Sequence, residues 1–402
     1  MTTPRTPPHL LTLILLTGFS PLSLNMFMPS LANIAVDLGT DYATVSWSVS
    51  GYLAITACVQ LVIGRLSDRV GRRPVLLVAV GVFACASVGC VFADSVQSFL
   101  FFRMLQGGMT AGYSLSMAIV RDTRSEREAV SLIGYIGMAM AVAPLLGPML
   151  GGVLDTVFGW RSIFVFYALA GFGLFAVCWV DLGETRRVAP SDSGAATRST
   201  GSLLREPTFW AYALCSAFSV GAFYIFLTGA PWVAVTDFGV GTAELGVYIG
   251  TITLGFMFGG FLSGRFGARF ELTTMMIAGR VVACAGLTLG LVLLALGVKH
   301  PQVYFACTVF AGLGNGLTMP ASNTGAMSVR PDLAGSAAGL SGALIVAGGA
   351  VLTAVTGAVL TERNGAVAVL ALMLSVCLVG LGLALWAARL RRRSCLPADT
   401  VE

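Results

Sequence analysis

The stretch Gly64-Arg65-Leu66-Ser67-Asp68-Arg69-Val70-Gly71-Arg72-Arg73-Pro74 sets four arginines and one aspartate between two long apolar runs. Charges are costly to remove from water, so a short water-exposed connection between membrane-length segments is the expected home for them. The glycines permit a tight turn, and Pro74 suits a helix start. A weaker copy, Gly260-Phe261-Leu262-Ser263-Gly264-Arg265-Phe266-Gly267-Ala268-Arg269, lies 196 residues downstream and is identical at six of ten positions. The chain therefore reads as a duplicated half, with Gly264 in place of Asp68.

Composition agrees. With 56% hydrophobic residues, 11% charged and a mean hydropathy of +0.86, the chain is far from the soluble average of about 25% charged residues. At about 20 residues per helical span, twelve apolar stretches emerge, at 10–33, 43–63, 75–93, 98–120, 130–153, 162–181, 208–229, 244–263, 273–296, 302–324, 334–358 and 366–388. Twelve spans place both termini on one side, and that side carries 19 of the 24 cations against Arg161, Lys299 and Arg363 on the other. The positive-inside rule makes the termini cytoplasmic. The arginines are dispersed over many loops, so the net charge of +5 does not imply nucleic acid. The first apolar stretch is too long for a signal-peptide core and is expected to be retained.

The charged stretch resembles the signature loop between the second and third helices of the major facilitator superfamily. The resemblance implies an all-α membrane protein, with twelve transmembrane helices in two six-helix pseudo-symmetric halves and a substrate site near the midplane. The corresponding domains are a tail at 1–9, a first half at 10–182, a cytoplasmic linker at 183–206, a second half at 207–388 and a basic tail at 389–402. Within the superfamily, Ser20 to Leu31 and Ser219 to Pro231 are similar to the bicyclomycin-resistance (Bcr/CflA) group of drug/proton antiporters. That group tends to carry an acid at the place held here by Asn25.

Several residues are candidates for function. Tyr52 matches a tyrosine of the group's second helix and either faces the central cavity or fills a helix seam. Arg103 lies in Arg103-Met104-Leu105-Gln106-Gly107, like the family's Arg-x-x-Gln-Gly motif. It sits about two turns into a membrane helix and either snorkels to the surface or tunes a polar network and favours electronegative substrate groups; Tyr113 extends the same face. Arg280, two turns from the other side, is expected to snorkel. Phe223 and Phe226, on one helical side, are candidates to clamp a planar substrate, with packing as the alternative. Asn315 and Asn323 complete the substrate-binding set. Gly64, Asp68, Arg69, Gly71, Arg72 and Arg73 form a candidate conformational latch. Pro144, Gly147, Pro148, Gly151 and Gly152 resemble the antiporter motif of the fifth helix, with Pro144 where the first glycine would stand; prolines bend the helix and glycines let another helix approach.

All nineteen Asp and Glu residues fall in loops or near span ends, so no carboxylate sits at the midplane. A carrier of lipophilic cations needs one there, which points to neutral, zwitterionic or anionic substrates. Asp37, Asp68 and Asp122 are the proton-coupling candidates. No P-loop pattern is present, no cofactor or metal site is expected, and the nine cysteines show no metal or redox spacing. His9, His300 and Lys299 lie at span ends, which argues against a membrane-embedded enzyme. The expectation is a monomeric, multi-pass carrier in a bacterial inner membrane. It exports small lipophilic compounds by alternating access in exchange for protons, with export of an endogenous metabolite as the alternative.

Overall fold

A computed structural model describes residues 8–123, 126–183, 202–267, 269–330, 333–361 and 364–394, without the side chains of 65, 68, 121–141, 334, 335, 393 and 394. These residues form α1 (Leu10–Asn25), α2 (Leu31–Asp37), α3 (Tyr42–Val70), α4 (Arg72–Val91), α5 (Val96–Leu105), α6 (Thr110–Thr123), α7 (Glu126–Phe158) and α8 (Arg161–Asp181). The second part of the chain forms α9 (Pro207–Thr236), α10 (Thr242–Phe266), α11 (Leu272–Ala295), α12 (Pro301–Ser328), α13 (Ala334–Val359) and α14 (Gly365–Ser394). No β-strand occurs among the described residues. Among the described residues, nine helical segments are long and apolar enough to cross a membrane, and Val142–Phe158 is a shorter apolar helix. Each of the twelve apolar stretches coincides with one helix or one broken pair.

The two broken spans shape the molecule's chemistry. In the first, α1 ends at Asn25 and a 3-10 turn over Met28–Ser30, with Pro29 near its start, leads into α2. In the fourth, a 3-10 turn over Gln106–Met109 separates α5 from α6. A proline cannot donate to the turn before it, and consecutive glycines weaken a helix, so both breaks fall where the sequence favours them.

The charged stretch differs from the expected tight turn bounded by Gly64 and Gly71. Residues 64–70 continue α3 as helix, and a single residue, Gly71, separates α3 from α4. Gly71 has φ +115° and ψ 151°, a conformation nearly confined to glycine. Arginines tolerate helix well, so charge moved these residues out of the membrane without unwinding them.

The chain forms two compact units. The first comprises Met1–Ala189, Leu227–Gly250 and Thr353–Glu362, and the second Pro190–Phe226, Thr251–Leu352 and Arg363–Glu402. In the first unit, α7 lies so close to α1 that a Cβ at Gly151 would fall on the Met26 carbonyl. In the second, α11 and α12 meet through Gly279 and Gly314, each facing the other's backbone oxygen.

Candidate functional site

The site in the first unit grows from the break after α1. The last carbonyls of a helix have no intrahelical partner. Leu22 O accepts from Met26 N, whereas Ser23 O is left to other donors. Arg103 supplies one: its Nη2 donates to Ser23 O at 2.9 Å, and its Nη1 donates to Gln106 Oε1 at 2.5 Å. Tyr167 Oη donates to the same Ser23 carbonyl at 3.1 Å. The negative end of the α1 dipole thus faces the guanidinium.

Aromatic faces close the remaining sides. The guanidinium carbon lies 4.2 Å from the Phe27 ring centre and 4.4 Å from that of Tyr52, within cation–π range. Tyr52 Oη lies 2.9 Å from Ser23 Oγ, which itself donates to Ser20 O. Gln106 Nε2 donates to Ser87 Oγ at 2.7 Å, extending the network to α4. Arg103 is 0% exposed, so the snorkelling alternative does not apply. No carboxylate among the described residues pairs with it, and its Nε has no hydrogen-bond partner. A permanent cation is therefore held by neutral oxygens, a helix end and π faces, with no described carboxylate to neutralise it.

The second unit holds a parallel arrangement. Arg280, expected to snorkel, is also 0% exposed. Its Nε donates to Thr318 Oγ1 at 3.0 Å and its Nη2 to Asn315 Oδ1 at 2.7 Å, while Nη1 faces Cys377 Sγ at 3.9 Å. The close α11–α12 approach brings acceptors to the side chain and removes the need to reach water. One turn beyond Thr318 on α12, Ser322 Oγ donates to Tyr212 O, and Ser216 donates to Ser322 Oγ and Asn323 Oδ1.

Of the other residues singled out by sequence, Asn25 is buried on α1, with Nδ2 donating to Pro21 O and Oδ1 without a partner. Tyr113, Phe223 and Asn323 are half-buried. Phe226 is fully buried, edge-on to Phe305 at 6.1 Å. Asp37 forms a partly exposed ion pair with Arg161 at 2.5 Å and accepts from Trp160 Nε1. In the latch, Arg72 Nη1 donates to Ser67 Oγ and Arg73 Nη2 to Trp179 O. The side chains of Asp68 and Asp122 lie outside the described residues. In the antiporter-type motif, Pro144 and Pro148 lie inside α7. Gly147 and Gly151 face Met26, and Gly152 faces Thr242. No group of metal-binding side chains occurs among the described residues.

The structure therefore brings Tyr52 and Arg103 together and places Asn315 on Arg280. Sequence reading did not single out Ser23 and Phe27 as partners of Arg103, Tyr167 as the second donor to the Ser23 carbonyl, or Ser87 as the acceptor for Gln106. Gln106 carried a signal, since it lies one turn from Arg103 in the same motif; Ser23 O carried none, because a main-chain carbonyl becomes an acceptor only once the helix ends.

Comparison with known proteins follows the same lines. Residues 13–353 match the family model of the Major Facilitator Superfamily. The chain is 30% identical over 85% of its length to the MFS-type transporter YdgK of Bacillus subtilis, covering 87% of that protein. It is 29% identical over 92% of its length to a chloramphenicol resistance protein of Pseudomonas aeruginosa, covering 89%. It is 30% identical over 80% of its length to the multidrug resistance protein MdtL of Escherichia coli, covering 82%. Among solved structures, a bacterial homologue of the human lysosomal transporter Spinster superposes with a TM-score of 0.76 at 17% identity, covering 97% of this chain and 98% of that one. A D-xylose–proton symporter gives 0.76 at 14% identity, with coverage of 94% and 96%. With its twelve helical spans, this chain belongs to the Major Facilitator Superfamily and is a multi-pass membrane transporter rather than an enzyme.

Proposed function

We propose that this transporter exports small lipophilic compounds that are neutral, zwitterionic or anionic, in exchange for protons. The observation that carries the substrate class is Arg103, a fully buried cation whose described partners are all neutral. Such a centre raises the cost of an approaching organic cation and lowers that of an electronegative group. The names of the chloramphenicol resistance and MdtL relatives support export of drug-like compounds. Proton coupling rests on the antiporter-like motif of α7 and the resemblance to drug/proton antiporters.

In this reading residues 10–182 and 207–388 are the two moving halves, tethered by 183–206, and the protein works as a monomer in the bacterial inner membrane with both termini cytoplasmic. Asn25, Tyr52, Arg103, Tyr113, Phe223, Phe226, Asn315 and Asn323 are the substrate-facing or substrate-tuning set. The latch around Asp68 and Arg72 opens and closes in each cycle. Everted vesicles carrying the protein and an internal pH probe test the proposal. Neutral phenicols and anionic compounds are expected to trigger proton release from an acid interior, and quaternary ammonium dyes are not. A stronger response to the dyes would refute the substrate class.

A further inference from the structure

We propose that Asp155 is the residue on which the coupling proton binds, at the face of the membrane opposite the chain termini. The assignment rests on the antiport reading and adds a site to it. Asp155 lies two residues beyond the apolar stretch 130–153, near the end of α7. At 6% exposure it is the one buried acidic side chain among the described residues.

Its partners are neutral. Asn33 Nδ2 on α2 donates to Asp155 Oδ2 at 2.7 Å. The fully buried Ser30 hydroxyl, in the 3-10 turn, faces the same carboxylate without settling into good hydrogen-bond geometry. Other charged groups on the elements packed around this point have partners of their own. Asp37 of α2 is paired with Arg161 of α8, and Glu244 of α10 accepts from Tyr248. Asp237, after α9, lies within hydrogen-bond distance of Thr236 Oγ1. No described cation lies within ion-pair distance of Asp155. A buried carboxylate without a cation beside it is suited to gain and lose a proton, and Asp155 differs in this from Asp37, which is partly exposed and sits against Arg161.

The position also gives protonation something to move. Asn33 belongs to α2, beyond the break of the first span, so its bond to Asp155 ties the α7 end to that broken helix. The next residue, Thr156, is hydrogen-bonded to Thr242 at the start of α10, at 2.9 Å. A proton taken from the aqueous phase onto the carboxylate turns a charge-assisted bond into a weaker neutral one. The contact with α2 loosens beside the contact with α10. Release of the proton restores the bond.

The experiment has two arms. In the first, full-length wild-type, Asp155→Asn and Asp155→Glu proteins in lipid bilayers are titrated by difference infrared spectroscopy, which needs no substrate. Wild type is expected to gain a protonated-carboxyl band as pH falls, Asp155→Asn to lose that band, and Asp155→Glu to regain it at a shifted pH. A wild-type titration in Asp155→Asn would overturn the assignment. In the second arm, proteoliposomes are loaded with labelled chloramphenicol. Asp155→Asn is expected to lose transport driven by a pH gradient while keeping chloramphenicol counterflow, and Asp155→Glu to keep both. Gradient-driven transport intact in Asp155→Asn would overturn the site alone. Counterflow lost in both variants would also overturn it, because a group needed only for the proton is dispensable in exchange. Wild type carrying chloramphenicol without moving protons would remove the antiport reading, and the role of Asp155 with it.

Discussion

Replacing Arg103 with Lys isolates what the shape of the guanidinium contributes, because the cation and its desolvation are largely retained. The two ends of the fork reach Gln106 Oε1 at 2.5 Å and Ser23 O at 2.9 Å, and the plane lies against Phe27 and Tyr52. An ammonium is a point donor on a flexible stem and reaches one of the two acceptors with good geometry. One hydrogen bond to a charged group is lost, and its acceptor stays buried, so the expected destabilisation is about 1.5–3 kcal/mol. Gln106→Met removes the other side of the same bond. If the two residues act through it, the double variant is less destabilised than the sum of the singles, by about 1 kcal/mol or more. Equilibrium unfolding of purified protein in mixed micelles of increasing dodecyl sulfate content measures all three. An Arg103→Lys protein within about 0.5 kcal/mol of wild type, the range of an unimportant surface change, would refute the account. Strict additivity of the pair would do the same.

Three glycines give further predictions. Gly151→Val puts side-chain atoms where the Met26 carbonyl stands; because main chain cannot rotate aside, a loss of about 1–3 kcal/mol or more is expected, read as a lowered thermal midpoint together with reduced export. Gly71→Ala forces a Cβ onto a residue at φ +115° and is expected to cost about 1–3 kcal/mol. Gly64→Ala, inside α3 with nothing within 4 Å of the added atom, is expected to be neutral or to stabilise by up to about 1 kcal/mol. Thermal unfolding of the two alanine variants side by side separates a required conformation from a merely small residue.

The spans were legible in the sequence because membrane burial demands long apolar runs, and all twelve stretches fall on helices. The state of the charged stretch was not: arginines mark the edge of the membrane, yet nothing in them distinguishes a turn from a helix that projects into water, and only the one-residue break at Gly71 settles it. Arg103 stood out as an intramembrane cation, and Gln106 stood near it. The remaining partners come from α1, α3, α4 and α8, up to 80 residues away in the hydrogen-bond network, and one of them is a main-chain oxygen freed by a helix end. Arg280 was misread for a related reason. Its distance from the water interface suggested reach, but its fate was decided by how closely α11 and α12 approach and by Asn315 and Thr318 lying on the facing side.

The two buried arginines differ in the order in which the ribosome delivers their acceptors. When Arg103 emerges, Ser23 has already been made, and Gln106 follows three residues later. Arg280 emerges before either of its oxygen acceptors, and Asn315 lies 35 residues further on. At about 5–20 residues per second, that gap lasts roughly 2–7 s. For that time α11 carries a cation with neither oxygen acceptor yet made, so its entry into the lipid is tied to the synthesis of α12, and the second unit matures as a pair of helices where the first can accept α5 alone.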